Sequence, residues 1–392
     1  MTRKKRSRHI MSVFTTFALI AFQSKANAQI TIANTDPDTA GRKWSAYVKG
    51  FIRADAMLDF QQVGAKDGIV APSIVLPQHN SMSSYFSVRQ SQIGLGFKQT
   101  DKNGDSPVSA YVEMDFYGAN GTTAPRLRHA YIQWKKWLIG QTWSNFDDEE
   151  IFPNIFDFNG ANGAMLTRSV QVRYSEKLSD KEILSFSLED PAKVSMIIPS
   201  SHSAWKKKSL IPIATGMYRY GNTRDYFKIG GTLSPVDYEN QENGYTKIGF
   251  GGIVSFRKYV TKLDDIRFQT SYGKGIARNN IVLSGEGYDA VFNPEQNTAE
   301  TLSLFNILGI FEHWWSPKWS SVAYYSYSQV GSNPAVVKTL MKRFQNAAVN
   351  VIYQPYKNLK MGIEGNYAKT ENFEGMKSDA FRFQFTTSFS FK

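Results

Sequence analysis

Along most of this 392-residue chain, apolar and polar side chains alternate one by one. That is the period of a β-strand whose two faces meet different surroundings. The C-terminal stretch is the clearest case. Phe381, Phe383, Phe385, Phe389 and Phe391 share one parity, while Arg382, Gln384, Thr386, Ser388 and Ser390 take the other. Sixteen such segments can be read, near 44–60, 84–99, 108–117, 127–135, 137–146, 169–177, 182–190, 209–220, 225–234, 244–256, 265–277, 304–315, 319–330, 342–354, 359–369 and 379–391. Most reach the roughly 9–11 residues that a tilted membrane strand needs, against about 5–6 in a globular sheet.

The connections sort by length. Those after odd-numbered segments are long, and those after even-numbered segments are short turns such as Asp101-Lys102-Asn103-Gly104-Asp105 and Gly221-Asn222-Thr223-Arg224. Antiparallel strands put alternate connections at opposite ends, so one rim carries loops and the other tight turns. A soluble sandwich has no reason to sort them so. The expected class is all-β: a 16-stranded antiparallel transmembrane β-barrel with short periplasmic turns and long extracellular loops. Lipid offers no hydrogen bonds to an open sheet edge, so the sheet must close. Sixteen strands enclose more space than side chains fill, and a water-filled lumen follows.

Composition supports export. Arg3, Lys4, Lys5, Arg6, Arg8 and Lys25 precede or flank an apolar run over 10–22, followed by Ala26-Asn27-Ala28. These features predict a signal peptide over 1–28 cleaved after Ala28, a short periplasmic leader over 29–43 and the barrel over 44–392. Much of the formal charge of +12 belongs to that signal, which removes the main support for a nucleic-acid partner. With no cysteine there is no disulfide framework, thiol chemistry or thiolate metal site. No later stretch is apolar enough for a helical span. Trp134, Trp137, Trp314, Trp315, Trp319, Tyr324, Tyr325 and Tyr327 are expected in interfacial girdles.

If apolar positions face lipid, the opposite parity faces water. That rule turns Lys49, Arg53 and Asp55 inward from the first strand, and Glu113 and Asp115 from the third. It also turns Arg173, Arg219, Lys228, Lys247, Arg267, Lys360, Arg382 and Glu364 inward. Basic residues outnumber acidic ones in this set, and a positive wall of low dielectric concentrates anions. Arg89 shares parity with Ile93, Leu95 and Phe97, so it breaks the scheme. Either a bulge re-aims it or its face is buried against another subunit. The third long connection, 147–168, opens with Asp147-Asp148-Glu149-Glu150. It is expected to fold inward as a constriction, its acids opposite the basic wall and Arg168 near them. Lys206-Lys207-Lys208 is expected at the external rim, facing anionic headgroups such as those of lipopolysaccharide.

One region goes beyond pattern. Leu127-Arg128-His129-Ala130-Tyr131-Ile132-Gln133-Trp134 runs through Lys135-Lys136 into Trp137-Leu138-Ile139-Gly140-Gln141-Thr142-Trp143-Ser144. With Gly50-Phe51-Ile52-Arg53-Ala54-Asp55, Arg89-Gln90-Ser91-Gln92-Ile93-Gly94 and Ala110-Tyr111-Val112-Glu113-Met114-Asp115, it resembles the DcaP-like dicarboxylate-channel porins. The resemblance spans about 48–175, with Gly140-Gln141-Thr142-Trp143 its most specific run. It implies a homotrimer of barrels in the outer membrane that passes small organic anions, with Arg53, Arg128 and Arg173 among the lumen residues. Two features depart from the family. The leader is too short for a coiled-coil extension, and Lys392 follows the terminal Phe391.

Two rival classes share the barrel. A surface enzyme of lipase or protease type needs a rim site; among His79, His129, His202 and His313, His79 and His202 fall in external loops, where the candidates are a Ser201–His202 or an Asp-partnered site. No GxSxG or HExxH motif occurs, and neither cofactor nor metal is expected. An adhesin needs aromatic-rich loops, yet the longest, 278–303, carries only Tyr288 and Phe292 as aromatics.

Overall fold

Side chains separate by parity onto lipid and lumen in the computed structural model, which describes residues 30–391. The expected export signal lies outside those residues. The barrel strands are β1 (Lys43–Asp59), β2 (Ser83–Ser87 with Gln92–Thr100), β3 (Val108–Asp115), β4 (Arg126–Trp134), β5 (Trp137–Trp143) and β6 (Arg168–Lys177). They continue as β7 (Glu182–Glu189), β8 (Ile213–Gly221), β9 (Tyr226–Glu239), β10 (Gly244–Tyr259) and β11 (Asp264–Lys274). The last five are β12 (Ser303–Ser316), β13 (Trp319–Val330), β14 (Met341–Tyr356), β15 (Leu359–Asn372) and β16 (Lys377–Phe391). Each pairs antiparallel with its neighbour, and β16 pairs with β1 from Gly50–Phe391 to Asp59–Arg382. The sixteen-stranded sheet is therefore closed, as lipid requires. On β16 the phenylalanines at 381, 383, 385 and 389 are exposed on the outer face, while Arg382, Gln384 and Thr386 are buried within.

Two connections differ from the sequence reading. β9 and β10 pair out to Glu239–Gly244, and β15 and β16 out to Glu371–Lys377, which leaves only 240–243 and 373–376 as turns. Beyond the lipid both faces become polar, so alternation stops while the hydrogen-bond ladder continues. Ile30–Asn34, expected to be plain leader, forms a strand on β1 from Ile30–Val48 to Asn34–Ser45. It continues the line of β16 past Phe391 and partners the periplasmic end of β1, which would otherwise be an edge.

Two bulges shift the parity rule. Asp55 pairs with Ser87 and Phe51 with Gln92, so residues 88–91 face the shorter segment 52–54. Phe86 and Val88 reach lipid before this break, and Ile93 and Phe97 after it. The extra residue turns Arg89 inward, which settles its orientation. It pairs with Asp67 and donates to the carbonyls of Gly118 (2.8 Å) and Thr122 (3.0 Å). In β4, Glu113 pairs with His129 but Met114 with Leu127, so Arg128 and His129 are both buried. Among the aromatics, Trp134, Trp137, Trp315, Trp319 and Tyr325 lie exposed on the outer face. Tyr324 is turned into the lumen, against expectation, because it shares parity with Val322.

Three long loops fold inward: 60–82, 144–167 and 275–302. Ile69, Ala71, Phe146, Met165, Ile276 and Leu283 join one apolar cluster with wall residues such as Leu304 and Phe344. Met196–Ile197, Ala290–Asn293 and Thr298–Thr301 form a separate three-stranded sheet that packs on Ile213, Val236 and Tyr238 of the wall. Lys206–Lys207 pairs with the external end of β9, and Lys208 salt-bridges Glu239 at 3.0 Å.

Arg382 is fully buried, and its guanidinium holds Asp59 through bonds of 2.6 and 2.8 Å. Removing one member of such a pair leaves a buried charge unpaired. Arg382→Met should therefore destabilise the barrel by about 3 kcal/mol, read as a lower urea midpoint in detergent.

Candidate functional site

A loop inside a barrel must find partners for its own peptide groups, or it will not stay there. The loop 144–167 closes on itself at Ser144 N–H to Thr167 O (2.9 Å) and hangs its amides on wall side chains. Glu364 of β15 accepts from both Phe156 and Asp157 N–H, each at 2.8 Å. Asn346 accepts from Asn162 N–H (2.9 Å), Ser326 from Gly163 (3.1 Å) and Gln269 from Met165 (2.8 Å). Two other loops grip it. Asp157 and Asn162 accept from Ile69 and Ala71 N–H at 2.7 Å, while Leu166 N–H reaches Asn279 O at 2.8 Å. On its apolar side Ile151 and Ile155 pack against Leu308, Ile310, Val322 and Tyr324. The loop is thus fastened along β11–β15. Its tip also meets the wall beyond β3, where Phe158 stacks on Tyr117 with ring centres 4.3 Å apart.

The four acids that open this loop do not act alike. Asp147 accepts from Thr167 N–H and Asn279 Nδ2, and burial pushes its carboxyl up to about 7. Asp148 accepts from Tyr226 and Ser255 hydroxyls and lies 3.5 Å from Lys228. Glu150 is held by Arg219 through two bonds, at 2.9 and 2.8 Å. Only Glu149 is exposed. The expected row of acids facing the bore is therefore corrected to one, because the other three bond within the loop neck and to β8–β10.

The basic wall is corrected in the same way. Arg53 pairs with Asp55 at 2.8 Å and reaches Phe156 O, while Arg267 pairs with Asp265 at 2.7 Å and with Glu312. Arg128 bridges Glu113 (2.9 Å) and Asp115 (3.0 Å), and Arg126 joins Asp115 at 2.7 Å. Lys247 lies exposed toward the external end of β10, 5.6 Å from the Tyr245 ring. Asp59, Asp265 and Glu312 share lumen parity but were not in the sequence tally, and they neutralise much of its excess.

Some cations have no carboxylate within 4 Å among the described residues. Lys49 lies over the Tyr111 ring at 4.2 Å. That ring in turn covers Gly94, where a Cβ would come within 2.2 Å of the tyrosine oxygen. Arg173 donates to Gln171 Oε1 (2.9 Å) and to Trp143 O. Arg168, next to the Thr167 that holds Asp147, stacks over Trp143 at 4.9 Å. Lys193, on the loop after β7, donates to Thr167 Oγ1 at 3.0 Å. Enclosure, and then the neighbouring Arg168, pushes its ammonium down to about 8. Lys360, below the loop, donates to Asn154 Oδ1 at 2.9 Å.

Arg126, His129 and Lys193 were missed from the sequence. For the first two a signal existed: Leu127 and Ile132 both face lipid but differ in parity, which requires a bulge between them. Lys193 gave none, since its place is set by loop packing. Of the rival catalytic pair, Ser201 Oγ and His202 Nδ1 are 2.9 Å apart, with the imidazole ring against Phe292.

The model of the DcaP outer membrane protein family matches residues 22–391. Among solved structures, the outer membrane channel DcaP of Acinetobacter baumannii is 24% identical, with a TM-score of 0.76, covering 89% of this chain and 97% of that one. An anion-selective porin from Comamonas acidovorans is 9% identical, with a TM-score of 0.58 and 89% and 100% coverage. OmpT of Vibrio cholerae is 11% identical, with a TM-score of 0.54 and 89% and 98% coverage. No curated protein matches the sequence.

Glu364→Ala removes two acceptors from adjacent buried amides, each worth about 1–3 kcal/mol when orphaned. Hydrogen exchange at Phe156 and Asp157 should quicken by about tenfold or more, with the strands β5 and β6 unaffected.

Proposed function

Because this chain belongs to the DcaP outer membrane protein family and is an outer-membrane porin, we propose that it prefers small organic anions, dicarboxylates among them, over cations. Passage is passive diffusion, so neither cofactor nor catalytic group is required. The observation that carries this reading is the set of cations left without a carboxylate among the described residues: Lys49 on β1, Arg173 on β6 and Lys360 on β15, with Lys193 on the loop after β7. Paired charges such as Arg53–Asp55 largely cancel at a distance, whereas unpaired ones set the field along the bore. Arginine adds a planar fork that suits a carboxylate. The loop 144–167 serves as the constriction, with Glu149 its remaining charge toward the bore and Glu113, Asp115, Arg128, Arg219, Lys228 and Arg267 fixing the wall around it.

Three such barrels assemble into a homotrimer in this reading, and Lys206–Lys208 faces lipopolysaccharide at the external rim. The exposed Ser201–His202 pair is then an ordinary loop contact.

Reversal potentials across a planar bilayer in a potassium chloride gradient test the preference. The unaltered channel should favour chloride. Lys49→Glu combined with Arg173→Glu should reduce or invert that preference and slow succinate entry in liposome swelling. A reversal potential favouring potassium in the unaltered protein would overturn the reading.

A further inference from the structure

The membrane face of the barrel carries a feature unrelated to permeation. On β12–β14, just inside the periplasmic turns, lies an apolar groove of about 240 Å³. Phe311 pairs with Ala323, and Ala323 with Val349, so a small side chain stands between two larger ones on the outer face. Beside it Gly309 leaves open space where a Cβ would sit. At the periplasmic end the groove is bounded by His313, Trp315 and Ser321. There Trp315 Nε1 donates to Ser321 Oγ at 2.9 Å, and the His313 ring meets Trp315 edge-on at 4.3 Å. Trp319 stacks on Tyr353 close by, at 4.5 Å. Tryptophan and tyrosine at this height mark the level of lipid headgroups.

Three neighbouring turns, 260–263, 317–318 and 357–358, lie just beyond, and each holds one exposed lysine: Lys262, Lys318 and Lys357. None of the three has a carboxylate within 4 Å among the described residues. The nearby acid is already engaged, since Asp264 accepts from Thr261 Oγ1 and pairs with His313. Val260 and Leu263, in the first turn, are exposed apolar residues.

We propose that this groove is a binding site for one anionic phospholipid of the periplasmic leaflet. An acyl chain lies along Phe311, Ala323 and Val349, and the phosphate sits among Lys262, Lys318 and Lys357. The order of the chemistry along the barrel axis selects this occupant. Hydrocarbon-compatible surface lies toward the membrane centre and unpaired positive charge toward the periplasm, which is how a lipid of that leaflet is oriented. A lipid of the external leaflet would present its headgroup at the opposite end. Basic residues at a headgroup layer favour an anionic lipid over a zwitterionic one by charge, and salt weakens that preference.

Native mass spectrometry of the detergent-purified protein tests this, with dioleoylphosphatidylglycerol and dioleoylphosphatidylcholine as the probes. One phosphatidylglycerol per chain should be retained about tenfold more strongly than phosphatidylcholine. The triple variant Lys262→Gln, Lys318→Gln, Lys357→Gln should bring that ratio close to one. Ala323→Phe, which fills the furrow from the lipid side, should weaken both lipids, and neither variant should alter single-channel conductance. Equal retention of the two lipids by the unaltered protein would overturn the proposal, as would a ratio that survives the triple variant. A change of oligomeric state in Ala323→Phe with lipid retention intact would also overturn it, by identifying the groove as a subunit contact.

Discussion

No peptide group can be left unpaired in hydrocarbon, and every feature of this molecule follows from meeting that demand. The sheet has to close, so β16 meets β1. Where β16 runs out at Phe391, the segment Ile30–Asn34 takes its place along the rest of β1. The same demand governs the interior. The loop 144–167 stays inside the lumen because Glu364, Asn346, Ser326 and Gln269 offer acceptors where its amides need them. Wall residues that would otherwise count as pore lining thus serve first as supports for the loop.

Electrostatics inside the lumen is decided by pairing more than by composition. Arginine and carboxylate neighbours such as Arg128 with Glu113 and Asp115, or Arg267 with Asp265 and Glu312, fix geometry and leave little net field. The cations that remain unpaired lie on β1, on β6, on β15 and on the loop after β7. The bulge in β4 is part of this arrangement. By inserting one residue it brings Arg128 and His129 to the lumen side together, which regular alternation forbids.

The outer face has its own differentiation. Most of it is the uniform apolar band that any membrane barrel presents. Near the periplasmic turns of β11–β15, small side chains, ringed by tryptophan and followed by lysine, give one stretch a local shape and charge.

The sequence alone determined the fold class, the strand number and the facing of most side chains. Alternation is a local property, and one solvent on each side makes it strict. It therefore predicted Phe385 outside and Arg382 inside without any knowledge of their neighbours. Only the tertiary structure decided the rest. A single inserted residue reverses parity, so Arg89 could not be oriented until its pairing with β1 was known. Asp147, Asp148 and Glu150 look identical to Glu149 in the sequence, yet partners 20 to 107 positions away bury the first two and hold the third. Which charges cancel and which face the water depends on contacts between distant segments, and no local pattern carries that information.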